Sequence, residues 1–567
     1  MPKIRFPQDA KWRGMAPTDF TGTTWLTCKL DLHRVPGKIT LGDSFDEVID
    51  SADDTDLGLP VAFIRTAADN TDKWWALAGA VLFKSTNTDP ESAWAQDAVA
   101  TSPTDAENDM VEVADALIVS RDVRLTRLAA GTWTANWWGT GGTVGADMTG
   151  SPHRFAILAG TLLITDGRFI NTWDGTTATD PALTLPADQQ MDWIQTAGEL
   201  CFMAGQGVGG STLADVFFWD GIADTYNARH SSGDIRVFAG FTANGIPHIV
   251  TRKGEVKRYT GQGFRTIATF PAYESNIVIT DLNPNGITVD KNIVKMLVRF
   301  GATTGTGFGL QSWRVLDGIY TFDSDTGELY HSGALRNTAT NDFGQLEMVG
   351  VGALVQTNPT QGKYLIGGQL YTVYTGTTRY GIFTSAEEST SNRGYLITPK
   401  IASTDVGLFL RRLIAKFKRL DTSTDRIRLL MRTRDSNTLP AYETITWVNA
   451  TSYTADNANV AANDFVEILA GANAGALVKI SSIVAGSPDT HTLESLRLNA
   501  STAAARARYL PWRDVSTISS QALQSTIHNI VRRSEWVQFC IELRGTETSP
   551  HFDNLILDFD PLPVAYA

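Results

Sequence analysis

The chain has 567 residues, a formal net charge of −13, 43% hydrophobic and 19% charged residues. That balance excludes a disordered chain and argues against a protein that grips nucleic acid by its phosphates, which would be basic. No run of about 18 uncharged apolar residues occurs, so no transmembrane helix is expected, and Met1-Pro2-Lys3-Ile4-Arg5 lacks the apolar core of a signal peptide, so synthesis in a cytoplasm without general export is expected.

Residues 1–59 read as an N-terminal segment whose strand Thr24-Trp25-Leu26-Thr27 closes the domain that follows. That domain, 60–385, carries a weak internal repeat: an apolar strand, a Gly or Asp turn, then a short alternating strand ending in aromatics. Residues 74–79 lead into 81–83, 117–122 into 123–133, and 162–167 into 168–175. Residues 201–203 lead into 216–221, 248–254 into 256–261, 313–318 into 319–322, and 364–368 into 370–376. Asp166-Gly167, Asp174-Gly175 and Asp220-Gly221 are hairpin signals. Units at intervals of roughly 40 to 65 residues have the period of four-stranded propeller blades. One such sheet cannot cover both of its faces, and sheets packed around an axis cover each other. The expectation is therefore an all-β chain with a β-propeller of six to eight blades, the apolar first strand of each unit lying nearest the axis. A β-solenoid or a tandem of unrelated sandwiches is the rival, with shorter, more regular coils for a solenoid.

Past residue 385 the pattern changes. Residues 387–394 read as a loop, and 386–446 with 511–567 as a C-terminal β-sandwich built from strands near 408–420, 426–432, 536–543 and 555–559. Residues 447–510 read as a small inserted β-barrel, with helix formers over 503–508 suggesting a short helical turn. The densest positive charge is 411–419. On a strand, Arg412, Lys416 and Lys418 share one face and Arg411, Leu413, Ala415 and Phe417 the other. The first set is a solvated face or a contact for an acidic partner or a nucleic acid.

Chemistry is mostly absent from the pattern. Cys28, Cys201 and Cys540 are far apart and read as buried free thiols. The eight histidines are scattered without metal-ligand spacing. Gly205-Gln206-Gly207-Val208-Gly209-Gly210 lacks the Lys-Ser/Thr and the helix of a phosphate loop, and Asp323-Ser324-Asp325-Thr326-Gly327-Glu328 lacks the twelfth-position Glu of a calcium loop, so both read as hairpin loops. A propeller glycosidase of sialidase type needs clustered carboxylates, converging arginines and a Tyr nucleophile, and its Ser-x-Asp-x-Gly-x-Thr-Trp turn is not reproduced at Asp325-Thr326-Gly327. No catalytic, cofactor-binding or metal-binding residues are assigned. Trp137 and Trp138 are candidate exposed aromatic contacts, which would serve a receptor- or glycan-binding protein.

The repeated units, such as 168–175 and 370–376, together with the closing segment 536–561, resemble the nozzle or tail-hub proteins of short-tailed bacteriophages. The resemblance implies a virion structural protein without catalysis, located in the tail and made in the host cytoplasm. It implies a homo-oligomer, a hexameric ring, docked to portal and adaptor and to tail fibre or spike proteins. It also implies transient contact with genomic DNA, for which an acidic channel wall lets the duplex slide without sticking.

Overall fold

The computed structural model describes residues 3–6, 12, 26–28, 30–32, 36–50, 54–79, 81–97, 109–121, 123–142, 144–149, 153–210, 212–270, 277–302, 317–333, 347–358, 363–372, 377–390, 393–399, 401–402, 407–422, 425–433, 443–449, 451–456, 460, 462, 464–468, 477–493, 504–510, 513–534, 536–545 and 549–562. Among them the secondary structure is all strand apart from one 3-10 turn, Pro284–Gly286.

Seven antiparallel sheets follow one another along the chain. The first pairs Pro60–Thr66, Lys73–Ala78, Val81–Ser85 and Trp94–Gln96 in order. The next four begin at Met110, Phe155, Gln189 and Val237, and each is again four strands in sequence order. The sixth runs from Ile277 to Gly333 and has five strands, because its first position is shared by Ile277–Asp281 and Ile287–Asp290. The seventh takes Glu347–Asn358, Lys363–Thr372 and Thr377–Thr390 and completes itself with Asp43–Asp50 from the N-terminal region. This is a propeller-like repeat of sheets.

Apolar cores lie between each sheet and the next. Val61, Trp75 and Leu77 of the first meet Leu117 and Val119 of the second, and Ile118 and Leu125 of the second meet Leu162 and Ile164 of the third. The succession continues through the third and fourth, fourth and fifth, fifth and sixth, and sixth and seventh. Leu365 and Ile382 of the seventh, with Ile49, then pack on Trp74, Ala76 and Phe83 of the first. The last seam is tight: a Cβ on Gly352 would stand 2.2 Å from the Pro60 carbonyl oxygen, so only glycine fits.

Two expectations change here. The apolar strands that open the sequence units prove to be second strands of their sheets: in Thr161–Asp166 and Ile246–Thr251 every residue but the first is buried, whereas the leading strands Met110–Val113 and Phe155–Leu158 are covered only in part; burial is not confined to second strands, since Asp215–Trp219, third in its sheet, is buried throughout. A second strand has neighbours in its own sheet on both edges and flanking sheets on both faces; the leading strand has a free edge. The closing strand is also not at Thr24–Thr27. Thr24 and Trp25 lie outside the described residues, and Leu26–Cys28 pairs with Arg393–Ile397 in the C-terminal region. Asp43–Asp50 closes instead, and the bulge at Val48, between Ile49↔Ile382 and Glu47↔Phe383, lets Phe45 face the core toward the sixth sheet and Ile49 the core toward the first.

Beyond residue 390 two further sheets share one core. One orders Lys3–Phe6, Phe552–Leu562, Gly407–Phe417 and Ser525–Ser534. The other orders Leu26–Cys28, Arg393–Ile397, Trp536–Arg544, Arg426–Thr433 and Arg513–Ile518. Leu413, Ala415, Phe417 and Leu555 of the first face Leu396, Leu429, Phe539 and Ile541 of the second. Residues 387–390, read as loop from sequence, continue the strand Thr377–Thr390. Six strands between Glu443 and Leu510 hydrogen-bond in a closed order around Ile445, Tyr453, Val466, Val478 and Ala507. The helical turn expected over 503–508 is replaced by the strand Ala504–Leu510, which pairs with Glu443–Asn449 on one side and Phe465–Ile468 on the other; two ladders outweigh the helix preference of alanine and arginine.

Candidate assembly surface

Among the described residues the strand Ser525–Ser534 stands at the end of its sheet and pairs on one side only, with Gly407–Phe417. Its ten residues therefore present a row of unpaired backbone groups, the feature that β-sheet proteins ordinarily cover or charge. Beside its polar residues and Arg532 and Arg533 it exposes two large apolar side chains. Ile527 is 62% exposed and Val531 67%. Cross-strand register extends the apolar row inward: Ile527 faces Ile414, Ile414 faces Ile556, and Ile556 faces Arg5. Ile414 and Ile556 are half-buried, so the row runs from sheet edge to sheet centre on the outer face. On the opposite face Ile530 packs on the shared core, while His528 takes a 2.9 Å contact with Thr526 Oγ1 and burial lowers its pKa.

A bulge shapes this edge. Leu410 pairs with Arg532 but Arg412 pairs with Asn529, so Ile530 and Val531 together oppose Arg411. Val531 adopts φ +47°, a left-handed conformation that a β-branched residue rarely takes. Arg411 is itself the extra residue against Phe552–Leu562. That irregularity corrects the expected alternation: Leu410 and Leu413 point inward and both Arg411 and Arg412 point out. Arg411 therefore does not share the inner face with Leu413, Ala415 and Phe417.

The predicted basic contact face is largely engaged within the chain. Arg412 Nη2 donates to Asp558 Oδ2 at 2.6 Å, and Asp558 is 0% exposed, so this guanidinium neutralises a buried carboxylate. Arg411 Nε donates to Asp560 Oδ2 at 2.6 Å, and Lys418 Nζ to Asp421 Oδ2 at 3.2 Å. Lys416 is exposed and makes no ion pair among the described residues. Sequence alternation found the strand and its outer face; it missed Ile527 and Val531, whose apolar side chains sit among Ser, Thr, His, Asn and Arg.

Trp137 and Trp138 are not exposed contacts. They are 4% and 0% exposed, and Trp137 packs edge-on to Trp173 of the third sheet at 4.8 Å. Consecutive residues are both buried because register slips between Leu125 and Arg127, so the pair no longer alternates in and out.

The other sequence candidates resolve as structural parts. The turn at Asp323 is an Asx hairpin in which Oδ1 accepts from Asp325 N at 2.9 Å and from Asn292 Nδ2 at 3.1 Å. The glycine-rich stretch carries the strand Leu200–Gly207 into a turn with Gly209 and Gly210 at positive φ. His153 Nδ1 and His248 Nδ1 contact the carbonyl oxygens of Thr165 and Ile246 at 2.8 and 2.9 Å. Cys201 and Cys540 are buried and unbridged, and the side chain of Cys28 lies outside the described residues. Among the described residues no three His, Cys, Asp or Glu side chains come together as metal ligands, and no helix is long and apolar enough to cross a membrane.

No protein-family model matches the chain, and no curated protein sequence matches it. Among solved structures it is similar to the computationally designed Ika8 protein, at 12% identity over 60% of this chain and 99% of that one with a TM-score of 0.35. It is also similar to Raptor of Chaetomium thermophilum, at 9% identity over 65% of this chain and 30% of that one with a TM-score of 0.39. A chain of the mitotic checkpoint complex is similar at 11% identity over 61% of this chain and 90% of that one, TM-score 0.36.

Proposed function

We propose that the chain is a non-catalytic structural subunit of a bacteriophage tail, of the nozzle or hub kind. In this reading the seven sheets are the blades of a β-propeller, the C-terminal sheets a sandwich, and the closed six-stranded unit an inserted barrel. The subunit forms a homo-oligomeric ring, hexameric by the resemblance, which docks portal, adaptor and fibre or spike proteins and passes genomic DNA transiently.

The observation that carries the reading is the edge strand Ser525–Ser534. A folded body that leaves the outer edge of a ten-residue strand without a partner among the described residues, beside Ile527 and Val531, is suited to completion by another chain. The repeated hairpin units and the acidic net charge support it further. The glycan-binding alternative rested on Trp137 and Trp138 as exposed platforms and loses that support.

The test is assembly. Purified chain, alone and mixed with the portal and adaptor proteins of its own particle, is followed by analytical ultracentrifugation and negative-stain imaging. Ring particles in the mixture are expected, and Ile527→Lys is expected to abolish them while leaving the circular dichroism of the chain unchanged. A chain that stays monomeric with both partners present refutes the proposal.

A further inference from the structure

An open groove of about 940 Å³ crosses the hairpin end of the fourth, fifth and sixth sheets. One wall is the outer hairpin of the fifth sheet, Glu255–Tyr259 and Phe264–Thr269; another is the turn of the sixth sheet at Ser324 to Gly327. Arg258 and Arg265 both line it, and they are direct cross-strand partners. Like charges placed opposite each other on adjacent strands repel, and neither arginine has an ion-pair partner among the described residues. The neighbouring acids are turned elsewhere. Glu255 pairs with Lys257 at 3.0 Å and accepts from Thr266 Oγ1 at 3.1 Å, and Asp325 accepts from Asn244 Nδ2 at 2.9 Å.

The scarcity of positive charge makes this placement informative. The chain has 61 acidic and 48 basic residues, and several arginines on its other sheets are matched: Arg65 with Asp72, Arg229 with Asp215, Arg379 with Asp50, Arg412 with Asp558. A second feature of the groove is independent of charge. Ser324 lines it at 4% exposure, and its hydroxyl has no hydrogen-bond partner among the described residues. Buried hydroxyls are ordinarily satisfied.

We infer that this groove binds a carboxylate-bearing segment of an acidic polypeptide, held by the guanidinium groups of Arg258 and Arg265. A planar guanidinium matches a carboxylate through two parallel hydrogen bonds. The walls beside the pair suit a peptide: Ile246, Pro247 and Ile267 offer apolar contact for flanking side chains. A nucleic acid fits less well, because a phosphate backbone is tracked by a series of cations, and here two arginines stand on a protein of net charge −13. The site lies on different sheets from the edge strand Ser525–Ser534 and does not depend on the tail assignment.

The test uses the full chain and its Arg258→Gln/Arg265→Gln double variant. Fluorescein-labelled hexaglutamate is titrated against both at constant ionic strength with anisotropy readout, and a labelled twelve-residue oligothymidylate is titrated in parallel. Circular dichroism and thermal unfolding establish that the variant is folded. Binding of hexaglutamate to the parent chain, weakened about tenfold or more in the double variant, is expected. Equal binding to both proteins, or none to either, overturns the site. Binding of the oligonucleotide in preference to the peptide, lost in the double variant, overturns the peptide assignment in favour of nucleic acid. Ser324→Ala gives a second readout on the same peptide titration: a weaker complex is expected if the hydroxyl faces the ligand, and an unchanged one removes it from the site.

Discussion

Replacing Val531 by asparagine should make the C-terminal sheets more stable. Val531 sits at φ +47° in the bulge of the edge strand, with its side chain 67% exposed. The left-handed region costs a non-glycine residue about 1–2 kcal/mol, and asparagine tolerates it better than any β-branched residue. Little burial is lost, so the strain relieved should exceed the β-propensity sacrificed. The expected gain is about 1 kcal/mol, which for a unit of this size raises its unfolding midpoint by about 2–4 °C. Val531→Gly should gain less, because glycine adds conformational entropy to the unfolded chain worth roughly 0.5–1 kcal/mol. Differential scanning calorimetry resolves the transitions of a multi-domain chain and is the assay of choice. Val484→Asn is the control: that valine is also exposed and ends a strand of the closed six-stranded unit, without positive φ. If Val531→Asn destabilises as much as the control does, the bulge is not strained and the argument fails. If Val531 contacts a neighbouring subunit in the ring proposed above, the same variant should also weaken ring assembly.

His248 is buried against Phe241, and desolvation, with Arg258 nearby, lowers its pKa to about 4. Because the folded value lies below the unfolded one, the stability is present above about pH 6.5 and is lost as pH falls toward 4, by about 3 kcal/mol; urea unfolding at pH 7 and 4.5 should show the loss, and His248→Phe should flatten that part of the pH profile. Phe45→Ala removes a buried ring from the closing strand and should cost about 3–5 kcal/mol; a denaturation midpoint unchanged from the parent would mean that Asp43–Asp50 does not hold the seventh sheet. The Cys201 thiol is pushed up to about 12 by burial and donates to the Trp219 carbonyl at 3.3 Å, so it should resist iodoacetamide at pH 8 in the native chain. Rapid labelling of Cys201, read by mass spectrometry, would contradict its placement in the core between the third and fourth sheets.

Repetition was legible in the sequence because turn chemistry is local. Asp166-Gly167 and Gly254 sit at the turns that the dipeptides and glycines predicted, with positive φ at each glycine. The closing strand was not legible. Asp43–Asp50 carries four carboxylates in eight residues, and its apolar residues Phe45 and Ile49 serve two different cores through a bulge, so no alternation marks it. Trp137 and Trp138 misled for the same reason: a register slip buries neighbours that an ideal strand would place on opposite faces. The basic face on Gly407–Phe417 was found by alternation, yet the partners that engage it, Asp558 and Asp560, lie about 150 residues on, and no local pattern announces them. Local rules locate elements; bulges and long-range ion pairs decide what the elements present.

The interior of the seven-sheet body bears on where a nucleic acid could travel. The 3-10 turn Pro284–Gly286 belongs to the sixth sheet, yet Asn285 Nδ2 donates to Asp109 Oδ1 at 2.7 Å, at the head of the second sheet, and to the Val61 carbonyl of the first at 3.2 Å. Asn283 Nδ2 donates to that same carbonyl at 3.2 Å. Asp109 Oδ2 in turn accepts from Phe155 N, which opens the third sheet, at 3.1 Å. A Cβ on Gly286 would already stand 3.0 Å from the Gly352 carbonyl oxygen of the seventh sheet. Leading strands of the first, second and seventh sheets thus meet one turn of the sixth within hydrogen-bond or van der Waals distance, and that of the third joins them through Asp109. No duplex, whose major groove alone is about 12 Å wide, threads a body fastened at that spacing. If the chain has the tail role proposed above, DNA passes along a surface it shares with its neighbours and not through this body. An assembly role therefore places the functional weight on the outer faces and edges of the chain, where Ile527, Val531 and Lys416 are exposed.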